Sequence, residues 1–193
     1  MIKSKQDYLY YLEADRLAMK KFNRKKPNML TDIQWKYTRV MRKVEYLTNC
    51  KRGLFWKFIL KYHRFKLYRI GVKSGLTIPP NVFGPGLALF HYGTIVVNTS
   101  ARVGRDCQLY CSTNIADGVK IGEKVFIAPG VVISSNVTIA DGVRIGANSV
   151  VTRSILEPNI TVAGAPAKKI SDIGTTDHYL GGTERLEQSS SGG

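Results

Sequence analysis

The stretch IADGVKIGEKVFIAPGVVISSNVTIADGVRIGANSV, residues 115–150, places an isoleucine at every sixth position. The same frame runs from residue 97 to residue 156, and all ten hexapeptides open with Val, Leu or Ile. The second position of each hexapeptide is mostly small, and the fifth is mostly apolar and includes Cys107. A period of six matches neither an α-helix nor one long strand, but it fits short strands with a turn in every hexapeptide. First-position aliphatics then stack into a continuous core, in which Cys107 is a filler.

The formal net charge of +15 lies entirely in the first part of the chain. Residues 1–75 carry 20 Lys and Arg against 5 Asp and Glu, whereas residues 76–193 carry 9 of each. We therefore expect the two parts to do different jobs. A basic excess suits nucleic acid or an anionic membrane, but the basic part contains no recognisable nucleic-acid-reading module, so nucleic-acid binding is disfavoured.

Three cysteines, Cys50, Cys107 and Cys111, leave an odd count and form no CxxC pair. This usage indicates neither a disulfide framework nor a zinc site, so no metal and a reducing compartment are expected. The N-terminus lacks the apolar core of a signal peptide, and no window reaches the roughly 20 apolar residues of a membrane span. A cytoplasmic location is the resulting expectation.

Three units are predicted along the chain: a basic α-helical region over residues 1–72, the repeat domain over 73–170 and a flexible polar tail over 171–193. Helices are expected at 4–22, 31–50 and 53–70. The segment from Thr31 to Gln34 has the spacing of a capping box. One face of the second helix is apolar, and its residues are Tyr37, Val40, Met41, Val44 and Leu47.

The third predicted helix mixes apolar residues with cations. Its apolar members are Phe55, Phe58, Ile59, Tyr62 and Phe65, and its cations are Lys57, Lys61, Arg64, Lys66 and Arg69. Two interpretations fit this pattern. In the commoner one the apolar face packs on the repeat domain or on a neighbouring subunit, and the cations are merely solvated. In the other the helix lies peripherally on an anionic membrane surface.

A single histidine interrupts the repeat pattern at its start. Counting back six residues from Val97 places His91 in a first-position slot that is otherwise aliphatic. A lone histidine is more often structural than catalytic, but a break in a ten-repeat rule is typical of a functional site. His91 is therefore our candidate catalytic residue.

The chain resembles the hexapeptide-repeat acyltransferases, in particular the serine acetyltransferases and their capsule and lipopolysaccharide O-acetyltransferase relatives. The resemblance covers roughly residues 72–170 and rests on IPPNVFGPGLALFHYGTIVVN, on ADGVKIGEKVFIAPG and on the terminal AGAPAK. It implies an all-β left-handed parallel β-helix, with three hexapeptides in each triangular coil, behind an N-terminal α-helical extension. It also implies a homotrimer with active sites between adjacent β-helices.

The resemblance implies acetyl transfer from acetyl-CoA, which is a co-substrate. His91 would act as a general base that takes a proton from an acceptor hydroxyl, and this hydroxyl attacks the thioester carbonyl without an acyl-enzyme. An imidazole suits this role because its ordinary pKa of about 6.5 leaves it largely neutral at pH 7.

The same resemblance places the acetyl-CoA groove along AGAPAK. Ala163 and Gly164 would admit the pantetheine arm, and Pro129 and Ala147 would line the groove. A CoA phosphate would meet Lys168 or Lys169 as a point charge.

The sequence departs from the serine acetyltransferases around the histidine. The aspartate that orients the histidine is replaced by Thr77, the carboxylate that precedes the histidine is replaced by Phe90, and the long loop with a second histidine is absent. No Asp or Glu lies between Glu45 and Asp106. The orienting group is left open between a backbone carbonyl and a carboxylate, such as Asp106 or Asp117, brought close by stacking or by a neighbouring subunit.

A site without carboxylates is poorly suited to an ammonium group, so the preferred acceptor is a saccharide hydroxyl. It would belong to a polysaccharide, O-antigen or capsule precursor, including a lipid-linked one at the inner membrane face. The alternatives are a serine O-acetyltransferase of cysteine biosynthesis and a non-catalytic β-helix scaffold. A zinc enzyme of the carbonic anhydrase type needs about three histidine ligands, and the repeat domain contains only His91.

Overall fold

Three helices come first in the computed structural model, which describes residues 1–28, 30–176 and 179–191. They are α1 (Lys5–Ala18), α2 (Ile33–Cys50) and α3 (Leu54–Ser74). All three were predicted, although α1 ends four residues early and α3 continues four residues further. Gly75 ends α3 in the left-handed conformation, with a φ of 74°, which glycine adopts without steric cost.

The start of α2 differs from the predicted capping box. The N-cap residue is Asp32, and its side chain makes no capping hydrogen bond to the helix. Its carboxylate instead binds Lys21 at 2.9 Å and Arg24 at 3.1 Å, and accepts the backbone N–H of Asn28 at 2.8 Å. Asp32 therefore ties down the α1–α2 connection, which outweighs the local capping preference.

Short strands follow α3, and within the described residues there are fourteen. They are β1 (Leu76–Thr77), β2 (Ala88–Leu89), β3 (Ile95–Val97), β4 (Arg102–Val103), β5 (Gln108–Leu109), β6 (Thr113–Ile115), β7 (Lys120–Ile121), β8 (Phe126–Ile127), β9 (Val132–Ile133), β10 (Thr138–Ile139), β11 (Arg144–Ile145), β12 (Val150–Val151), β13 (Thr161–Gly164) and β14 (Ala167–Ser171). Parallel pairing joins β1, β3, β6, β9 and β12 into sheet A, β4, β7 and β10 into sheet B, and β2, β5, β8, β11 and β13 into sheet C. The last strand, β14, adds to sheet C antiparallel to β13.

One coil of this parallel β-helix contains three hexapeptides. Arg102 pairs with Lys120, and Lys120 pairs with Thr138, so equivalent positions recur after 18 residues. About five coils stack, and sheets A and C contain five parallel strands each. Sheet B contains three strands, and single bridges at Phe83 and Ile155 extend it at its two ends. The predicted repeat architecture is confirmed.

The core of the β-helix is the predicted aliphatic column. All ten first-position residues are at most 6% exposed: Val97, Val103, Leu109, Ile115, Ile121, Ile127, Ile133, Ile139, Ile145 and Val151. Cys107 is buried among the fifth-position residues, and this burial raises the pKa of its thiol well above the ordinary value. Its predicted role as a core filler is confirmed by its burial, and the raised pKa keeps the thiol protonated and unreactive at neutral pH.

A buried ion cluster joins the helices to the first coil. The guanidinium of Arg42 is fully buried and binds Asp15 at 2.8 Å and Glu45 at 3.1 Å. It also donates to the backbone carbonyls of Phe83 at 2.8 Å and Gly84 at 2.7 Å. Burial alone lowers the pKa of Arg42, but the two carboxylates more than offset this and hold the pKa above its ordinary value. The helical region is therefore anchored to the β-helix by charge as well as by apolar contact.

The prediction of a flexible tail over residues 171–193 is wrong for most of that segment. Residues 177–178 and 192–193 of the tail lie outside the described residues, but helix α4 (Gly182–Ser191) packs against α1. Thr183 donates its backbone N–H to Asp106 at 3.0 Å and also donates its hydroxyl to the same carboxylate. Thr175 donates its N–H to the carbonyl of Gly142 at 2.8 Å. A polar segment is thus ordered by hydrogen bonds to distant residues.

The Asp106 anchor predicts a pH dependence of stability. Burial raises the pKa of Asp106, and the hydrogen bonds from Thr183 only partly oppose this. The folded chain then holds this proton more firmly than the unfolded chain, so the contribution of Asp106 to the free energy of unfolding falls as pH rises from the ordinary pKa of 3.8 to the raised one. Asp106→Asn should remove that fall. Urea unfolding of both proteins over a pH series measures the difference, and parallel pH profiles would contradict the prediction.

Candidate functional site

The structure places His91 outside the core column, which corrects the frame used for its prediction. Leu89 pairs with Leu109, and Ile95 pairs with Thr113. Five residues therefore lie between Leu89 and Ile95 in the first coil, whereas three lie between Leu109 and Thr113 in the second. The core position of the first coil is Leu89, which is 2% exposed, whereas His91 lies in the lengthened turn and is exposed. Counting in sixes failed because this turn contains two additional residues.

The helices hold the turn that carries His91. The carbonyl of Ser74, at the end of α3, accepts the N–H of Gly93 at 2.9 Å. From α2, the side-chain amide of Gln34 donates to the carbonyl of Phe90 at 3.3 Å. A Cβ on Gly93 would lie 3.1 Å from the Cβ of Cys111, and the φ of 131° at Gly93 favours glycine. The α-helical extension therefore contributes to positioning the candidate base.

Aromatic rings surround the base of the turn. The rings of Phe90 and His91 lie 5.5 Å and 5.9 Å from that of Tyr110, which in turn lies 5.3 Å from Phe126. The guanidinium of Arg144 covers Phe126 at 5.4 Å. Burial raises the pKa of Tyr110, so this phenol stays protonated at neutral pH. The imidazole of His91 is thereby packed on one side and open to solvent on the other.

No carboxylate is hydrogen-bonded to His91 within the described residues. Asp106 is fully buried and bound to Thr183, so it is not the orienting group in its own subunit. Asp117 accepts a hydrogen bond from the hydroxyl of Ser100. The same part of the chain contains no cluster of three His, Cys, Asp or Glu side chains suited to a metal ion.

Four of the other predicted site residues share one edge of the β-helix with His91. This edge lies where the chain leaves sheet C, towards sheet A in the first four coils and into the β13–β14 hairpin in the fifth. It consists of residues 90–94, 110–112, 128–130, 146–148 and 163–166, and we call it the His91 edge. Pro129 and Ala147 are exposed in its third and fourth turns, and Ala163 and Gly164 lie in its fifth. Because parallel strands lie about 4.7–4.9 Å apart, four steps separate His91 from Ala163 by roughly 19 Å.

Small residues are required along the His91 edge by the close stacking of its turns. A Cβ on Gly146 would lie 2.9 Å from the Cβ of Ala163. The N–H of Asn148 is bonded to the carbonyl of Pro129 at 2.9 Å, and that of Gly164 to the hydroxyl of Ser149 at 3.1 Å. The resulting surface is narrow, rigid and free of bulky side chains between the third and fifth turns.

The two predicted phosphate-binding lysines have different environments. Lys169 binds Glu157 at 2.5 Å and Asp172 at 2.6 Å. Lys168 is exposed, pairs across the hairpin with Ala163 of the His91 edge, and has no carboxylate partner among the described residues. Successive residues of a strand point to opposite sides, which explains why only one of the two is neutralised.

Sequence reasoning missed the residues that support His91. Tyr110 had a signal, because it is the one aromatic residue in a second-position column that is otherwise mostly small. The sequence gives no sign of the role of Gln34, because its contact with Phe90 joins residues 56 positions apart. Both were found only from the fold.

Comparison with known proteins agrees with this architecture. Residues 100–135 and 118–153 match the family described as bacterial transferase hexapeptide (six repeats). No curated protein matches the chain.

Solved structures match over most of the chain. Serine acetyltransferase from Brucella abortus strain S19 in complex with coenzyme A is 22% identical, with a TM-score of 0.69, and the match covers 89% of this chain and 70% of that one. The Neisseria gonorrhoeae enzyme in complex with serine is 24% identical, with a TM-score of 0.65 and coverage of 87% and 71%. The soybean apoenzyme is 22% identical, with a TM-score of 0.67 and coverage of 86% and 70%. At this level of identity the matches establish the fold, which is the left-handed parallel β-helix of hexapeptide repeats with an N-terminal helical region.

Proposed function

We propose that this chain is an acetyl-CoA-dependent O-acetyltransferase with His91 as its general base. The observation that carries the proposal is the His91 edge itself. An exposed imidazole lies at one end, small residues line the third to fifth turns, and at the other end lies Lys168, which has no carboxylate partner among the described residues. The repeat match to a transferase family and the fold shared with serine acetyltransferases support the same chemistry.

The proposed reaction needs one base and no covalent enzyme intermediate. A ring nitrogen of His91 takes the proton of the acceptor hydroxyl as the hydroxyl oxygen attacks the thioester carbonyl of acetyl-CoA. The C–S bond then breaks, and the departing thiolate takes the proton from the imidazolium. Atoms balance as an acetyl ester and free CoA. Backbone N–H groups of the edge turns are the candidate donors to the developing oxyanion.

Lys168, rather than Lys169, is the proposed contact for a CoA phosphate. Lys169 is already neutralised by Glu157 and Asp172, whereas Lys168 lies next to the edge and has no carboxylate partner in the described part of the chain. Lys168→Gln should raise the KM for acetyl-CoA roughly five- to tenfold, as expected for one charge-assisted contact, and leave kcat nearly unchanged. Lys169→Gln is the matched control. Steady-state kinetics test this assignment, which equal effects of the two substitutions would contradict.

A homotrimer is part of the proposal. Among the described residues of one subunit no carboxylate orients His91, and the outer side of sheet A exposes the aliphatic side chains of Val96 (43%) and Val132 (38%). Association of β-helices through such surfaces would place the exposed imidazole between subunits. Light scattering should give a mass of three times 21.5 kDa, and a monomeric active enzyme would refute the trimer.

Two acceptors are supported by different observations. The serine acetyltransferase matches favour L-serine, and this comparison has the greater weight. The residues around His91 favour an uncharged saccharide hydroxyl, because no carboxylate is bonded to the histidine in the described part of the chain. The ring of Tyr110 packs beside His91, and Tyr92 is exposed next to it, so aromatic surface is available to pack against a sugar.

The acceptor and the activity are tested together by thiol release from acetyl-CoA. The assay compares L-serine, a panel of sugars and nucleotide sugars, and no acceptor. Serine-dependent release identifies a serine acetyltransferase, and release only with a sugar identifies a saccharide acetyltransferase. Absence of both turnover and calorimetric binding of acetyl-CoA would refute the proposal and leave the non-catalytic scaffold.

A further inference from the structure

Helix α3 is apolar on two opposite sides. On its inner side Leu67 and Gly71 are buried, and Leu60 and Ile70 pack against the main core. A Cβ on Gly71 would lie only 2.6 Å from the carbonyl oxygen of Leu76, so the helix backbone lies directly against the first coil. The inner side alone accounts for the attachment of α3 to the β-helix.

The outer side carries a second apolar surface, whose side chains stay mostly exposed in the described chain. We call it the outer stripe, and it consists of Leu54, Phe55, Phe58, Tyr62, Phe65, Tyr68 and Val72. These side chains are between 57% and 70% exposed. Their spacing of three and four residues puts them on one side of the helix over its full length of roughly 31 Å. The expectation that the apolar face packs on the repeat domain is therefore wrong for these residues, although Ile59 is half-buried.

Exposed cations border the outer stripe on both sides. With 3.6 residues per turn, Lys57 and Arg64 lie along one border, and Lys66 and Lys73 lie along the other. Lys61 and Arg69 lie within the stripe, where the guanidinium of Arg69 covers the ring of Phe65 at 5.8 Å. None of these six cations forms a salt bridge in the part of the chain that the structure describes. The sequence supplies no acidic residue from position 46 to position 105, so the helix has no local counter-charge.

We propose that the outer stripe is a docking surface for an anionic lipid bilayer. Phe, Tyr and Leu side chains bordered by Lys and Arg are the composition of helices that lie in the headgroup region, and acidic headgroups supply the charge that the cations lack. A second copy of this chain fits poorly, because pairing two outer stripes would bring twelve cations together, none of which has a carboxylate partner among the described residues. The inner side keeps α3 packed on the first coil, so the helix lies along the bilayer surface. Within the described residues no helix combines the length and apolar character needed to cross a membrane.

The test is co-sedimentation of the full chain with phosphatidylcholine vesicles, with and without phosphatidylglycerol. Binding should require the anionic lipid and should weaken as salt is raised. Phe58→Ser with Phe65→Ser should lower the partition coefficient about tenfold. Lys57→Gln, Lys61→Gln and Arg64→Gln together should lower it about a hundredfold, at about fivefold per cation.

Matched variants distinguish vesicle binding by the outer stripe from nonspecific adsorption of exposed apolar side chains and from an effect of net charge. Leu156 and Ile170 are exposed aliphatics of the β-helix region, and changing both to serine should leave vesicle binding unchanged. A triple change of Arg102, Lys120 and Arg153 to glutamine removes the same charge elsewhere and should have a much smaller effect. Equal losses in this control, equal binding to neutral vesicles, or dissociation of an oligomer by the Phe58 and Phe65 changes would overturn the proposal. Acetyl transfer is not needed for any of these measurements, so the docking surface and the proposed enzyme are tested independently.

Discussion

His91→Ala should abolish most acceptor-dependent release of CoA while leaving the fold intact. General-base catalysis contributes typically 10²- to 10⁴-fold, so kcat should fall by about that factor, and the KM for acetyl-CoA should change little. The imidazole is exposed and lies against the ring of Tyr110, so the melting temperature should change by no more than a surface substitution does. Thiol-release kinetics and thermal unfolding of the same preparation measure both quantities.

His63→Ala is the matched control for the loss of a histidine. His63 lies on α3, outside the His91 edge, and burial lowers its pKa. Its removal should leave acceptor-dependent turnover within about twofold of wild type. If His91→Ala retained wild-type turnover with the best acceptor, the general base would have to be another group, and the site assignment would be refuted even though the fold stands.

The β-helix could be predicted because stacked coils repeat one environment. Each first-position residue has the same neighbours one coil above and below, so the demand for an aliphatic side chain recurs every six residues. Val97 to Val151 show that pattern without exception, and all ten of these positions are buried. Periodicity is informative here because burial itself is periodic.

The position of His91 could not be found in this way. The two additional residues between Leu89 and Ile95 change the frame, and the turn contains apolar as well as polar residues, so composition gives no sign of the change. Helix α4 escaped prediction for a related reason, because hydrogen bonds between Thr183 and Asp106, 77 residues apart, hold a polar segment in place. The two apolar sides of α3 also overlap along the sequence, and only the packing separates them.

Arg42→Met should cause the largest loss of stability in the chain, about 3–5 kcal/mol in the free energy of unfolding. The substitution removes the cation that is bound to both Asp15 and Glu45 and leaves both carboxylates buried. The two carboxylates cannot turn away without further loss, because Asp15 accepts the N–H of Leu87 at 2.9 Å and Glu45 accepts that of Asn81 at 2.7 Å. A small domain has only about 5–15 kcal/mol of stability in total, so the variant should unfold far more readily.

Urea unfolding tests whether this loss comes from uncompensated charge or from lost packing. Arg52→Met, at an exposed cation just before α3, should change the free energy of unfolding by less than about 0.5 kcal/mol. Combining Arg42→Met with Asp15→Asn and Glu45→Gln removes all three charges and keeps an oxygen for each backbone N–H, so the triple variant should recover part of the loss. If the triple variant were less stable than Arg42→Met alone, the buried charges would not be the cause. The anchoring of the helices would then depend on the hydrogen bonds from Arg42 to the carbonyls of Phe83 and Gly84.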